Sequence, residues 1–185
     1  SPRQAPAQYQ TLQVMNLLQT LRAIEKTAAL QPNVGTVVRN DVFRLNASPV
    51  VRYGAFAWLQ NEHSTSEDSG LITFNFTFFY VDRLLADKSN EVQIQSQGIE
   101  TLENILHALA GKGLFAGSYT YRTFNQRFAD ECAGVFCNVT LETAKDTLCA
   151  EAYEYLQNVA DFNLDYNEDF KVWEWRTEER IVYFI

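Results

Sequence analysis

Basic side chains are scarce in this chain, cysteines are few and odd in number, and no long apolar run occurs. Lys and Arg total 15 against 23 Asp and Glu, a formal net charge of −8. Phosphate backbones are held by Lys and Arg that displace counterions. An acidic chain without a basic run is therefore no general nucleic-acid binder; it suits a protein that nucleic acid slides past. The cysteines number three: Cys132, Cys137 and Cys149. An odd set suits a reducing cytoplasm better than a disulfide framework. The longest near-apolar stretch, Phe74 to Val81, falls far short of the ~20 apolar residues that span a bilayer. Residues 1 to 20 hold no uninterrupted apolar segment, so no secretory leader is expected and no membrane partner.

Hydrophobic residues make up 46% of the 185 and aromatics 14%, nearly all in runs that look like strands. A chain of this length forms about one domain and buries a sizeable core without staples. Residues 1–8, with Pro2 and Pro6, are expected to be a flexible polar arm. From Tyr9 to Leu30 the positions Val14, Leu17, Leu18, Leu21, Ile24 and Ala28 fall at helical spacing, and Pro32 stops the helix. "TVVRNDVFRLN" (36–46) reads as short β segments, and "PVVRYGAFAWLQN" (49–61) as a strand. "EHSTSEDSG" (62–70) has the composition of a loop. "LITFNFTFFYV" (71–81) is the clearest strand. Ile72, Phe74, Phe76, Phe78 and Tyr80 share one face, Thr73, Asn75 and Thr77 the other. The two strands are expected to pair as a long antiparallel hairpin.

A second helix follows, with a capping box at Asn90 and Gln93. Its buried stripe is Val92, Ile99, Leu102, Leu106 and Leu109. Gly98 weakens it and Gly111 ends it. Strands are expected at about 118–126 and 134–143, then a third helix at 144–160 capped by Thr143 with Asp146. A hairpin of "FKVWEWR" and "RIVYFI" closes the chain. Helices do not alternate regularly with single strands. The pattern is α+β: a mainly antiparallel sheet with helices packed on one face.

The stretch "TFNQRFADECAGVFCNVTLET" (123–143) carries chemically suggestive side chains, and each chemistry fails a test. Cys132 and Cys137 are spaced C-x4-C, but structural zinc needs four ligands. Cys149, His63 and His107 form no second close pair. A cysteine nucleophile needs a nearby imidazole, and neither histidine stands in a recognisable signature. Asp130–Glu131 and Glu168–Asp169 are adjacent pairs, which on a strand point to opposite faces. "DYNED" (165–169) begins like a calcium loop, but Phe170 replaces the turn glycine and Arg176 the final glutamate. "GKGLFAG" (111–117) is no phosphate loop, and no G-x-S-x-G occurs. No catalytic residue, cofactor or metal ligand is expected, so the chain is not expected to be an enzyme. Gly134–Leu141 reads as a core strand with Cys137 facing the core.

Four stretches together resemble a known family: the N-terminal helix, "LITFNFTFFYVDRLLADKSNEVQIQSQGI", "TLENILHALA" and "YTYRTFNQRFADECAGVFCNVTLE". The family comprises small virion structural proteins of Bacteroides-type tailed phages, including crAss-like phages. The similarity covers roughly residues 9–143 and rests most on F-x-Y-V-D-R-L before a Ser-Asn-Glu helix start. It implies a tail-terminator-like domain at 9–143, with 144–185 as a C-terminal helix and hairpin extension. It implies a homo-oligomeric ring, twelvefold or sixfold, that joins portal and head to tail, contacts other neck or tail proteins and lets genomic DNA pass. Such a protein resides in the virion neck and, during assembly, in the host cytoplasm. The alternative is a soluble assembly or binding module of phage origin that is absent from the finished particle. Trp173, Trp175, Tyr183 and Phe184 alternate along the closing hairpin and are the candidate interface, Trp and Tyr being favoured anchors. The competing role for these four side chains is to finish the monomer's core.

Overall fold

The computed structural model describes residues 15–46, 51–66, 70–127, 131–144, 164–176 and 180–185. The expected arm at 1–8, residues 9–14 of the expected first helix, nearly all of the third helix, Asp130 and Cys149 lie outside them. The first helix, α1, spans Leu17–Ala29. It starts where Asn16 and Gln19 cap each other. The Asn16 side chain accepts the Gln19 N–H at 2.9 Å, and the Gln19 side chain accepts the Asn16 N–H at 2.8 Å. Two of the orphan donors of the first turn are thereby satisfied. Lys26 in the last turn complements the helix dipole.

The strands are β1 Thr36–Arg39, β2 Ala55–Ser66, β3 Leu71–Arg83, β4 Phe115–Ala116, β5 Tyr121–Arg127, β6 Cys132–Ala144, β7 Asp165–Asn167, β8 Val172–Arg176 and β9 Ile181–Phe184. A 3-10 turn, Val42–Asn46, follows β1, and the helix α2, Glu91–Ala110, follows β3. All nine strands form one sheet in the order β4-β6-β3-β2-β1-β9-β8-β7, with β5 also paired to β6. The pairs β1–β2 and β1–β9 are parallel and the others antiparallel. The chain is thus α+β with a mixed, mostly antiparallel sheet.

Alternation along β3 decides which face is buried. Phe74, Phe76, Phe78 and Tyr80 are buried, together with Val135, Cys137, Val139 and Leu141 of β6. Onto this face α2 lays Ile94, Leu102, Ile105, Leu106 and Leu109, and α1 lays Ala23, Ile24 and Ala28. Both helices therefore sit on one side. The opposite face is covered near β1 by Val42 and Leu45 of the 3-10 turn, over Val38, Ala55, Ala57 and Val81. Beyond that cap it carries an uncharged ladder. Asn61 donates to Thr77 at 3.1 Å, Thr77 to Asn138 at 2.8 Å and Thr140 to Asn75 at 2.8 Å. An ion pair ties α1 to the sheet, with Arg39 donating to both Glu25 carboxylate oxygens at 2.8 Å.

Several sequence expectations need correction. Residues 62–66 are strand, because the hairpin ladder continues through His63↔Phe74 to Ser66↔Leu71 despite the polar composition. The second half of 36–46 is a 3-10 turn. Asn90 caps no helix with its side chain. It folds back instead, accepting the Leu85 N–H at 2.9 Å and donating to the Arg83 carbonyl at 3.1 Å. Val92 is 76% exposed and leaves the buried stripe to Ile94. Leu18 is likewise exposed. The third helix cannot begin at 144, since β6 runs through Ala144. The C-terminal strands continue the same sheet outward from β1: β9 pairs with β1, Thr36↔Tyr183 and Val37↔Phe184, and β8 and β7 follow to the edge.

Candidate functional site

The C-terminal strands form a meander in which β8 pairs with both β7 and β9. Its first turn is set by Asn167, whose side-chain oxygen accepts the N–H groups of Asp169 and Phe170, each at 3.1 Å. Lys171 then takes a left-handed φ of 54°. This geometry brings Tyr166 opposite Trp173, with ring centroids 5.2 Å apart and nearly edge to face. Phe170 reaches toward Tyr183 at 6.3 Å. Tyr166, Phe170 and Trp173 are 43%, 52% and 46% exposed. Tyr166 and Trp173 thus share one exposed face at this end of the sheet, while Phe170 lies against Tyr183 on the other.

The four expected interface residues divide. Trp173 belongs to the exposed pair. Trp175 is half-buried, packs on the main core and lies under the Arg180 guanidinium at 5.8 Å. Tyr183 and Phe184 are only 5% and 2% exposed. Both are consumed by the protomer's own core, so they are withdrawn as contact residues. The cause is the parallel pairing of β9 with β1, which places Phe184 among the helix-side core residues. Sequence reasoning missed Tyr166 and Phe170, which it passed over as part of a failed calcium loop. Their signal was aromatic residues flanking a polar turn, the mark of a hairpin. Opposite Tyr183, on the other face of β8 from Trp173, the Glu174 carboxylate is bonded by Arg176 at 2.7 Å and Asn167 at 3.1 Å. These bonds hold it below the ordinary carboxylate range.

In the stretch at 123–143 the described residues are strand up to Arg127 and again from Cys132. Cys132 and Cys137 are buried cysteines outside any disulfide. Burial, with a smaller contribution from Glu103, pushes the Cys137 thiol up to about 12, which keeps it protonated and unreactive near neutrality. Glu131 occupies a left-handed turn at φ 47° just ahead of β6. Among the described residues no three His, Cys, Asp or Glu side chains are grouped to hold a metal ion. His63 stands in β2, its Nδ1 accepting the Asn75 N–H at 3.3 Å, with its ring against Phe74 and Phe76. On α2, Glu103 accepts hydrogen bonds from the phenols of Tyr121 at 2.9 Å and Tyr119 at 3.2 Å.

A polar cleft of about 350 Å³ opens where the α1–β1 connection, the approach to β2, the end of β3 and α2 converge. Asn33, Arg52, Gly54, Asp82, Gln97 and Arg180 line it. Thr36 fixes one wall, its hydroxyl accepting the Arg52 N–H at 2.8 Å and donating to the Arg52 carbonyl at 2.9 Å. Arg180 closes another, donating to the Ala29 and Gln31 carbonyls at the end of α1. These residues come from well-separated segments with no shared spacing, so no sequence pattern could announce them.

No helix among the described residues is long and apolar enough to cross a membrane. No protein-family model matches the chain. No curated protein matches it either.

Proposed function

We propose that this chain is a structural ring protein of a tailed-bacteriophage virion, seated between portal and tail, with a tail-terminator-like fold. The observation that carries this reading is the exposed Tyr166–Trp173 pair on the terminal strands of the sheet. Water-facing aromatics gathered at one place are the usual anchors of a protein contact. An anchor at one end of the molecule, meeting a different surface on the next copy, makes a head-to-tail contact. Repeated around an axis, such a contact closes into a ring, here sixfold or twelvefold.

The charge balance agrees with a lumen. A net charge of −8 repels a passing duplex and gives the phosphate backbone nothing to hold it. The resemblance carried by the stretches quoted above would put its site of action next to portal and other neck or tail proteins. No catalytic step is assigned. The test is a symmetry-resolved reconstruction of the virion neck, together with native mass spectrometry of the purified chain. The expected results are stoichiometric presence in particles and a closed oligomer of six or twelve subunits. Absence of the chain from virions would overturn the proposal.

A further inference from the structure

Where α2 crosses the start of β5, four side chains that the ring role leaves unused come together. Glu103 and His107 stand four residues apart on α2, so they share one side of the helix, a turn apart. Tyr121 opens β5 opposite Cys137, which puts its ring on the helix side of the sheet. Tyr119 lies two residues before it. Both phenols converge on the Glu103 carboxylate, Tyr121 on Oε1 at 2.9 Å and Tyr119 on Oε2 at 3.2 Å. The two rings meet edge to face, with centroids 5.6 Å apart. Beside them lies a cavity of about 180 Å³, lined by Glu103, His107 and Tyr119 and walled by Leu106, Ala110 and Ala116. Glu103 and His107 are exposed, so the cavity is open to entry from solvent.

The spacing of the oxygens is that of donors to one ion. Two oxygens at right angles on a small octahedral ion, each at ~2.0–2.1 Å, lie about 2.9 Å apart. The donor types narrow the choice of ion. Carboxylate and phenolate oxygens are hard ligands, and imidazole also suits iron. One carboxylate, two ionised phenols and a neutral imidazole carry a total charge of −3, which a trivalent cation balances. Without metal, both phenols keep their protons: burial first, then the hydrogen bond and charge of Glu103, hold Tyr121 well above the ordinary phenol range and raise Tyr119 as well. A bound cation inverts that preference, because metal ligands give up their protons to bind.

We propose that Glu103, His107, Tyr119 and Tyr121 form a binding site for ferric iron, with the carboxylate, the imidazole and two phenolates as its ligands. Binding releases the two phenolic protons to solvent and changes no oxidation state. The site goes beyond the ring role and does not depend on it.

The full chain, stripped with EDTA and dialysed, is titrated with ferric nitrilotriacetate. One equivalent should produce the visible charge-transfer band of tyrosinate on ferric iron. Gallium(III), of equal charge and similar size, should bind without colour and erase the band by competition. Tyr119→Phe and Tyr121→Phe should each weaken the band, and the double variant should lack it. Glu103→Gln and His107→Ala should each weaken iron binding by more than ~100-fold, since loss of an outer-shell partner alone reaches that scale. Melting temperatures of the metal-free variants check that each folds. Should the double tyrosine variant fail to fold, Glu103→Gln, which keeps an acceptor for the phenols, decides. Iron bound without the band would overturn the proposal, as would a band that survives the double tyrosine variant. Displacement of iron by an equal concentration of zinc sulfate, or undiminished binding by Glu103→Gln or His107→Ala, would do the same.

Discussion

Gly98 stands in the middle of α2 and is buried. Glycine in a helix interior costs about 0.8–1 kcal/mol relative to alanine. Helix propensity alone therefore says that Gly98→Ala stabilises the protein. The packing reverses the sign. A Cβ there would stand 2.8 Å from Val135 Cγ2 and 2.9 Å from Tyr80 Cδ1. Neither atom can yield cheaply. Val135 is a fully buried β-branched residue on β6, and the Tyr80 ring is fully buried with its hydroxyl wedged against Gly54. Overpacking of this kind costs ~1–3 kcal/mol, and two immovable neighbours put it in the upper half. Subtracting the propensity gain leaves a net loss of about 1–2 kcal/mol. Gly111, the C-cap, is the control. Its φ is −62°. A Cβ there meets nothing nearer than the Ala108 carbonyl at 3.4 Å. Gly111→Ala should be neutral or gain up to ~1 kcal/mol by restricting the unfolded chain. Urea unfolding followed by circular dichroism measures both. A Gly98→Ala variant as stable as the parent would refute the close approach of α2 to β3 and β6.

Phe76 is fully buried and packs edge-on against Trp58 at 6.3 Å, so Phe76→Ala should cost about 3–5 kcal/mol. Thr77→Ala on the open face loses only its exposed bonds with Asn61 and Asn138 and should cost about 1 kcal/mol in the same assay; equal costs would mean the strand faces are exchanged. Burial holds the Asp82 carboxyl above its ordinary range, so the folded state binds more protons than the unfolded chain and stability falls as pH climbs through that window. Asp82→Asn should therefore melt higher than the parent at neutral pH, and the gap should close below pH ~4, where both forms are protonated. Cys132 and Cys137 should resist iodoacetamide until the protein unfolds, as read by mass spectrometry, and Cys137→Val should fold normally because the site needs only a small apolar group.

The parts of the fold legible in the sequence are those written by local periodicity. The period of two along 71–81 identified the core face of β3, because a strand buried on one side must alternate. The long hairpin and α2 followed for the same reason. What escaped was set by partners far away in sequence. Residues 62–66 are polar, yet they stay in the ladder because β3 offers them a hydrogen-bonding edge. Asn90 had the spacing of a cap, but the Leu85 N–H and the Arg83 carbonyl claimed its amide. Gly98 looked like a weak point of a helix and is a contact surface. Nothing in "RIVYFI" says that it lies parallel beside Thr36 and Val37, and that pairing alone decides that Tyr183 and Phe184 are core.

The same pairing determines how the proposed interface must be tested. Removing residues 170–185 would strip β8 and β9 from the sheet and leave one side of β1 unpaired. It would also delete Val182 and Phe184 from the main core. Loss of assembly after that truncation would report unfolding, whatever the strands do between subunits. Charge at Trp175 has the same defect, since Trp175 packs on the core. Trp173 does not: it is 46% exposed, and its near neighbour Tyr166 is 43% exposed. Trp173→Asp should therefore change the melting temperature little while abolishing the ring in native mass spectrometry, since a charge at the centre of a desolvated aromatic contact has no partner there. Phe184→Asp should do the reverse and collapse the protomer, because Phe184 is 2% exposed and a carboxylate cannot be accommodated at that site. A ring that survives Trp173→Asp would remove the aromatic pair from the interface. A protomer that unfolds with Trp173→Asp would show that the exposed tryptophan stabilises the meander rather than a neighbour.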